Sequence, residues 1–314
     1  MKVVASVGNQ EIAMVYVVDF EGRLVECVEA VQPPIPRDEK WVLMISTLYG
    51  CPVGCQFCDA GGHYQGPVSR DDMLSQIKYL IAARYPGGRV PSKQLKIQFA
   101  RMGDPAFNDE VLDLLEELPA LIEAPGLMPS LSTIGPHGRD AFFDRLIDIK
   151  SDYYPAGQIQ LQFSLHTTDV GLREELVPVK KWDFGRIAEF GDRYFRAGDR
   201  KITLNFALAE NSPVEAHILE RYFDPAKFLV KITPLNPTYR AKEFGLKSML
   251  DGRQSGRHQH IVDSLRQTGF EVIVSVGELE ENEIGSNCGQ YVLQHIKNSA
   301  PLPAGYSYPV SLDR

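Results

Sequence analysis

Within the stretch LYGCPVGCQFCDAGG, Leu48 to Gly62, three of the chain's five cysteines stand at Cys51, Cys55 and Cys58. Three thiols at C-x3-C-x2-C spacing on one short loop read as metal or redox chemistry, because the thiolate is a soft ligand and a good nucleophile. Structural zinc takes four ligands. Neither a fourth nearby cysteine nor a well-spaced histidine pair is present, and His63 lies only five residues past Cys58. A cubane [4Fe-4S] cluster has four irons, so three thiolates leave one iron open to bind something else. An odd count of five also argues against a disulfide framework in a chain kept reduced.

Such a loop must be held by something rigid. From Trp41 onward, short alternating apolar runs take turns with amphipathic helical runs, the pattern of repeated βα units. WVLMIST precedes the loop. DDMLSQIKYLIAAR follows it, with Met73, Leu74, Ile77, Leu80 and Ile81 on one stripe. LKIQFA leads to NDEVLDLLEEL, whose Asn108 is an expected N-cap, and SLSTI, IQLQFSLH, KITLNFALA and FLVKITPLN continue the series to about six repeats. In IQLQFSLH, Ile159, Leu161, Phe163 and Leu165 alternate with Gln160, Gln162, Ser164 and His166. One set faces helices and the other a lumen. Closed eight-stranded barrels fill their centre with branched apolar side chains, so a polar inner face on six units predicts an incomplete barrel around a polar ligand. The alternative is an open doubly wound sheet, whose central strands are apolar on both faces. The predicted organisation is a β appendage over residues 1–40, a barrel over 41–270, and an extension over 271–314 that carries Cys288, a short helix GQYVLQHIKN and an irregular tail.

Composition narrows the partners. The net charge of −8 is spread along the chain, which disfavours nucleic acid, since phosphate-neutralising domains carry a basic excess. No run of eighteen apolar residues occurs, and the N-terminus alternates like strands, so the sequence reads as cytoplasmic with neither export signal nor anchor.

The cysteine spacing, with aromatic Phe57 before the last cysteine, resembles the radical S-adenosylmethionine (SAM) superfamily. That resemblance implies a [4Fe-4S] cluster on Cys51, Cys55 and Cys58, SAM on the open iron, a partial (βα)6 TIM barrel, and a reducing partner such as flavodoxin or ferredoxin. It also implies reductive cleavage of SAM to methionine and a 5′-deoxyadenosyl radical. Further motifs are similar to a narrower group, the RlmN/Cfr family of ribosomal RNA adenine methylases. RMGDPAFN resembles its Gly-Met-Gly-Glu-Pro-x-x-Asn, LSTIGP its Leu-Ser-Thr-Ser-Gly, FSLHTTD its Ser-Leu-His-Ala, ITPLNP its Ile-Pro-Phe-Asn-Pro, and NCGQ its Cys-Gly-Gln. By this resemblance Phe57, Gly103, Asp104, Ser132, Ser164, His166 and Asn236 are expected to bind the cofactor. Gly103 and Asp104 would take the methionyl amino group, Ser132 and Ser164 the carboxylate or ribose, and Asn236 the nucleoside. A buried zwitterion with a ribose needs its polar atoms satisfied.

Departures from the family pattern matter as much. Cys288 matches the family's methyl-accepting cysteine, but the resolving cysteine seven residues before the cluster is Met44, a thioether with no proton to give. Cys27 reads as a small buried hydrophobe on a strand. The family's RNA-binding N-terminal domain has no counterpart ahead of Cys51, and an acidic loop, GELEENEIGSN, replaces basic residues before NCGQ. The sequence is therefore expected to specify an RlmN/Cfr-like radical SAM enzyme acting on a small molecule, with Cys288 as methyl carrier or hydrogen donor. The alternatives are the RNA methylase itself and a non-catalytic iron–sulfur carrier. Lys180, Lys181 and Trp182 read as a stacking and phosphate patch or as a helix entrance. Tyr49, Arg101, Tyr239 and Arg240 are further substrate-contact candidates near strand ends.

Overall fold

Alternation of apolar and polar residues builds a single sheet of eleven strands among the residues that the computed structural model describes, namely 1–250, 256, 258–277, 279–286, 291–292 and 307–312. The first three strands, β1 (Lys2–Asn9), β2 (Ala13–Phe20) and β3 (Arg23–Ala30), are antiparallel. β2 and β3 meet at a two-residue turn in which Glu21 and Gly22 both take positive φ, +53° and +88°, and Asp19 Oδ1 accepts from Gly22 N at 2.6 Å. Two positive-φ residues match the twist of a right-handed hairpin. β3 then pairs antiparallel with β4 (Lys40–Ile45), with Val28 opposite Met44, so the N-terminal strands extend the same sheet.

From β4 to β10 every successive pairing is parallel, each strand returning through a helix. The order is α1 (Arg70–Arg84), β5 (Gln94–Phe99), α2 (Glu110–Leu121), β6 (Leu127–Thr133), α3 (Asp140–Tyr153), β7 (Gln160–Ser164), α4 (Val170–Leu176), α5 (Phe184–Tyr194), β8 (Ile202–Leu208), α6 (Ala216–Tyr222), β9 (Phe228–Pro234), α7 (Tyr239–Glu243), α8 (Gln259–Gln267) and β10 (Val272–Val274). α9 (Leu279–Ile284) and β11 (Ser311–Leu312) follow, and β11 pairs with β1. The sheet's two edges, β10 and β11, do not hydrogen-bond to each other, so the barrel is partial, as the polar inner face predicts.

Helix α1 forms where the sequence places it. Ser69 caps α1 by accepting from Asp72 N at 3.1 Å, and the stripe Met73, Leu74, Ile77, Leu80 and Ile81 is buried. Asn108 differs from expectation by one residue. The N-cap of α2 is Asp109, while Asn108 Oδ1 accepts from Glu110 N at 3.1 Å and its amide donates to the Thr47 and Val68 carbonyls at 2.9 and 2.8 Å. An amide can bond in both directions, and here it ties α2 to the cysteine loop instead of only closing a helix.

The core lies between the sheet and its helices. Phe143, Phe163, Trp182 and Phe190 pack with centroid separations of 4.3 to 6.2 Å. Trp182 is 4 % exposed and therefore part of this core, which removes it as a surface stacking platform. Lys181 beside it pairs with Glu174 at 3.0 Å and donates to Val177 O. Two segments also depart from the sequence reading. The acidic loop forms the short helix α9 over part of its length, and the tail read as irregular contributes β11. No helix among the described residues is long and apolar enough to cross a membrane.

Candidate cluster and cofactor site

At the C-terminal end of β4 the chain leaves the sheet into the loop that carries the three cysteines, where βα barrels place their chemistry. The loop is anchored at its root, since Thr47 N and Leu48 N both donate to Met102 O, at 2.9 and 3.1 Å. It closes on itself through Gly62 N to Cys51 O at 3.2 Å and Tyr49 N to Gly66 O at 3.0 Å. Gly50 has φ +74°, and a Cβ there would stand 2.6 Å from Gly62 O, so only glycine allows this closure. Gly103 is likewise constrained: with φ +92°, its Cβ would fall 2.4 Å from the Leu48 side chain.

A distant element grips the loop from the far side. Arg240 in α7 donates from Nε to Cys55 O at 2.9 Å and from Nη2 to Gly54 O at 3.1 Å. Asp59 in turn accepts from Tyr239 N and Arg240 N at 3.1 and 3.0 Å, and Thr238 Oγ1 donates to Phe57 O at 2.9 Å. Sequence reasoning offered Arg240 as a substrate contact; the structure turns its guanidinium onto the loop backbone. Asp59 and Thr238 were missed altogether, because their partners are about 180 residues away.

The thiols themselves are poorly solvated. Cys51 is 8 % exposed and burial pushes it up to about 11, while Cys55 is pushed well above the ordinary thiol value by burial, then by the charges of Cys58 and Cys51. Thiols that raise one another in this way stay protonated unless a polycation neutralises them. Among the described residues no His, Cys, Asp and Glu side chains converge as ligands of one metal ion would. A cubane spreads its thiolates more widely than a single ion does, so this donor set fits an iron–sulfur cluster better than zinc. Burial pushes Lys181 down, while its bond to Glu174 and, least of all, the Cys55 charge favour its protonated form.

The strand ends bring several of the predicted cofactor residues to the same rim. Asp104 is buried, caps the short 3-10 helix Pro105–Phe107 through Ala106 N at 2.9 Å, and accepts from Thr133 Oγ1 at 2.8 Å and Ile134 N at 2.7 Å. Burial pushes its carboxyl up to about 6 against those bonds. Three protein donors already approach it, so the shorter side chain is spent mainly on joining the β5 and β6 ends. Ser132 Oγ accepts from Gln162 Nε2 at 3.2 Å, and Ser164 ends β7 half-buried. His166, with φ +68°, accepts from Ala207 N through Nδ1 at 3.3 Å, and its ring meets Phe57 edge-on at 4.5 Å. Burial, with Arg173 adding, pushes His166 down to about 3, so it is a neutral imidazole. Asn236 is half-buried just past β9.

Met44 lies half-buried on the lumen face of β4, where Trp41, Leu43 and Ile45 are fully buried on the opposite face. Cys27 is fully buried on β3 and burial pushes its thiol far up, so it is an inert core residue in this fold. Cys288 lies outside the described residues, as does most of the helix predicted around it. Its described flanks are both tied to one buried ion pair. Arg101 pairs with Glu26, both side chains being fully buried, and donates to Ser286 O at 2.9 Å and Gly285 O at 3.1 Å. Glu26 Oε1 accepts from Val292 N at 2.7 Å. Tyr49 donates to Asp72 at 3.2 Å with the Arg23 guanidinium 4.1 Å above its ring, and a cavity of about 120 Å³ opens between this tyrosine, His63, Met102 and Val292.

Comparison with known proteins adds an independent view. No family model matches the chain. It is 26 % identical over 287 residues to the dual-specificity RNA methyltransferase RlmN of Wolinella succinogenes, covering 86 % of this chain and 72 % of that one. Probable RlmN proteins of Salinispora arenicola and Thermobifida fusca are each 27 % identical, over 86 % of this chain and 68 % and 71 % of theirs. In fold, the chain is similar to a radical SAM methyltransferase from Sphaerobacter thermophilus, with TM-score 0.70, 22 % identity, and coverage of 92 % and 80 %.

Proposed function

The chain belongs to the radical SAM superfamily, on its RlmN/Cfr-like branch, as an enzyme that uses a [4Fe-4S] cluster and SAM, and we propose that it methylates an adenine of RNA. The observation that carries this reading is the length of the match: relatives named as RNA methyltransferases align over 86 % of the chain. The small-molecule acceptor expected from the sequence has less support than this. The net charge that argued against nucleic acid is a property of the whole surface and does not describe the local field at the barrel mouth.

The cluster with SAM bound supplies a carbon radical able to abstract hydrogen. The protein's part is to hold and orient. Cys51, Cys55 and Cys58 are assigned to the cluster, and Arg240, Asp59 and Thr238 hold their loop in shape through its backbone. Gly103, Ser132, Ser164 and Asn236 are assigned to SAM at the strand ends, and Phe57 packs on the neutral His166 to wall that seat. Asp104 contributes by fixing the rim beneath it. Cys288 is assigned as the methyl carrier.

A second reading, methylation of a small molecule, is favoured by one observation. Met44 occupies the lumen position at which the family resemblance calls for a resolving thiol, and a thioether cannot close a disulfide. One experiment separates the two. Anaerobically reconstituted enzyme, a flavodoxin or ferredoxin reductant, and methyl-labelled SAM are incubated with ribosomal RNA. The RNA reading expects 5′-deoxyadenosine together with labelled methyladenosine in the digested RNA. Formation of 5′-deoxyadenosine with unlabelled RNA would move the assignment to the small-molecule reading, and no 5′-deoxyadenosine under activating conditions would sink both.

A further inference from the structure

Of two lysines in the barrel lumen, Lys96 feels the charge of Lys231, and neither makes an ion pair among the described residues. On β5, Leu95, Ile97 and Phe99 are fully buried against helices, which turns Lys96 to the lumen beside Val42 and Met128. On β9, Val230 and Ile232 are fully buried in the same way, and Lys231 faces the lumen beside Asn205 and Ile273. Both lysines are partly accessible, and among the described residues neither amine makes a hydrogen bond or an ion pair. Several other buried cations are paired, Lys150 with Asp199, Arg101 with Glu26, Arg84 with Glu29 and Lys181 with Glu174, while buried Arg173 makes no ion pair among the described residues.

The neighbourhood is cationic on several elements. Lys40 at the start of β4 and Arg200 just before β8 add their charge to that of Lys231 in pushing Lys96 down, beyond the effect of burial, to about 7. Burial and Lys40 also push Lys231 down, against the opposing charge of Glu281 on α9. Holding like charges together in a half-dry lumen costs free energy, which the charge of Glu281 offsets in part for Lys231 and no described carboxylate offsets for Lys96. A separate observation points to a ligand as well. Asn205, next to Lys231 in register, is 8 % exposed, and its Oδ1 is buried with no hydrogen-bond partner. Orphaned donors and an orphaned acceptor on one lumen face are what a polar occupant would satisfy.

We propose that Lys96 and Lys231 form an oxyanion seat within the barrel, taking the terminal phosphate or carboxylate of a molecule that enters the lumen, with Asn205 accepting from a donor on the same molecule. The two lysines lie deeper than the rim assigned to SAM, and Asn205 stands between them and that rim, since its register partner on β7 is Ser164. Each lysine lies three residues before the end of its strand, about 10 Å below that rim. The interior of an RNA chain would have to thread the lumen to present a phosphodiester there, so the anion is the free end of a small molecule. The proposal is independent of which acceptor is methylated.

Sulfate, which does not titrate near neutrality, is the probe. Anaerobic holoprotein is titrated calorimetrically at pH 6.5 and constant ionic strength, and binding of one sulfate is expected. Lys96→Met and Lys231→Met should each weaken it about tenfold, the scale of a lost charge-assisted hydrogen bond. The exposed Lys78→Met should leave it unchanged. Cluster absorbance equal to wild type in all variants shows that folding is intact. Adenosine monophosphate should displace the sulfate, and a hairpin RNA without a terminal phosphate should not. No sulfate binding in the wild type, equal binding in the two lumen variants, or displacement by the RNA alone would overturn the proposal. Failure of methyl transfer leaves each of these results standing.

Discussion

At the scale of single residues, the cysteine loop shows how much chemistry three side chains dictate. Burial and mutual repulsion keep Cys51 and Cys55 protonated without metal, so cluster assembly must supply the compensation. Cys55→Ala should lower bound iron and the broad visible absorbance of the reconstituted protein to near background, because two thiolates cannot hold a cubane with one iron open. Iron retained at wild-type stoichiometry would remove Cys55 from the ligand set. The Glu26–Arg101 pair makes a different kind of prediction. Arg101 stands where the family pattern has a glycine, and it brings a guanidinium into a fully buried place. Burial pushes the Glu26 carboxyl up and Arg101 opposes that shift. Glu26→Gln would leave the arginine charge without its counterion, at a cost of about 3–5 kcal/mol in chemical denaturation. A midpoint equal to wild type would mean that Arg101 is neutralised by some other group. The carboxylate–arginine pair was not visible in the sequence, since its members are 75 residues apart and each alone looks like an ordinary surface residue.

At the scale of elements, strand and helix identities were largely legible because period-2 and period-3.6 patterns are local. The alternation in IQLQFSLH and KITLNFALA correctly forecast a polar inner face. The same pattern in LKIQF and FLVKITP also carried Lys96 and Lys231 to that face, a signal the sequence reading did not use. What could not be read was whatever depends on another element's position. Trp182 belongs to an aromatic core formed with Phe143, Phe163 and Phe190 on three different segments, and Asn108, besides accepting from Glu110 N, donates its amide to the Thr47 and Val68 carbonyls. The lumen lysines have a pH signature that belongs to this scale. Lys96 is pushed from 10.5 down to about 7, so between those values the unfolded chain binds a proton that the folded protein has lost. Stability therefore rises with pH across that window, falls as pH drops from 10.5 toward 7, and is not changed further by this group below 7. Lys40, Lys231, Arg200 and Glu281 face the same space and shape the wild-type curve, so the informative quantity is the difference made by one substitution. Lys96→Met should stabilise the apoprotein at pH 7, on the order of a few kcal/mol, and the gain should shrink by pH 10. A gain equal at both pH values would show that it comes from packing and not from charge.

For the whole molecule, the open question is how a chain of net charge −8 would approach RNA. The fold offers one sheet whose N-terminal strands continue into the parallel barrel and whose two edge strands, among the described residues, are not paired with each other. Acidic residues crowd one border, where α9 carries Glu280, Glu281 and Glu283. RNA binding here must therefore rest on a small basic area, not on a strongly positive face, and few phosphates would be neutralised. Each neutralised phosphate contributes roughly −0.7 to −0.9 to the slope of log affinity against log salt concentration. Three or four contacts then predict a loss of about 20- to 150-fold between 50 and 200 mM salt, against about 10³- to 10⁵-fold for proteins that grip six to ten phosphates. Fluorescence anisotropy with a labelled ribosomal RNA hairpin measures this directly. A slope in the predicted range, together with labelled methyladenosine, joins binding to the chemistry at the rim. Absence of binding even at 50 mM salt would leave the acidic surface as the dominant field and return the acceptor to a small molecule, whose entry into the lumen the two lysines would favour if it carries an anionic end.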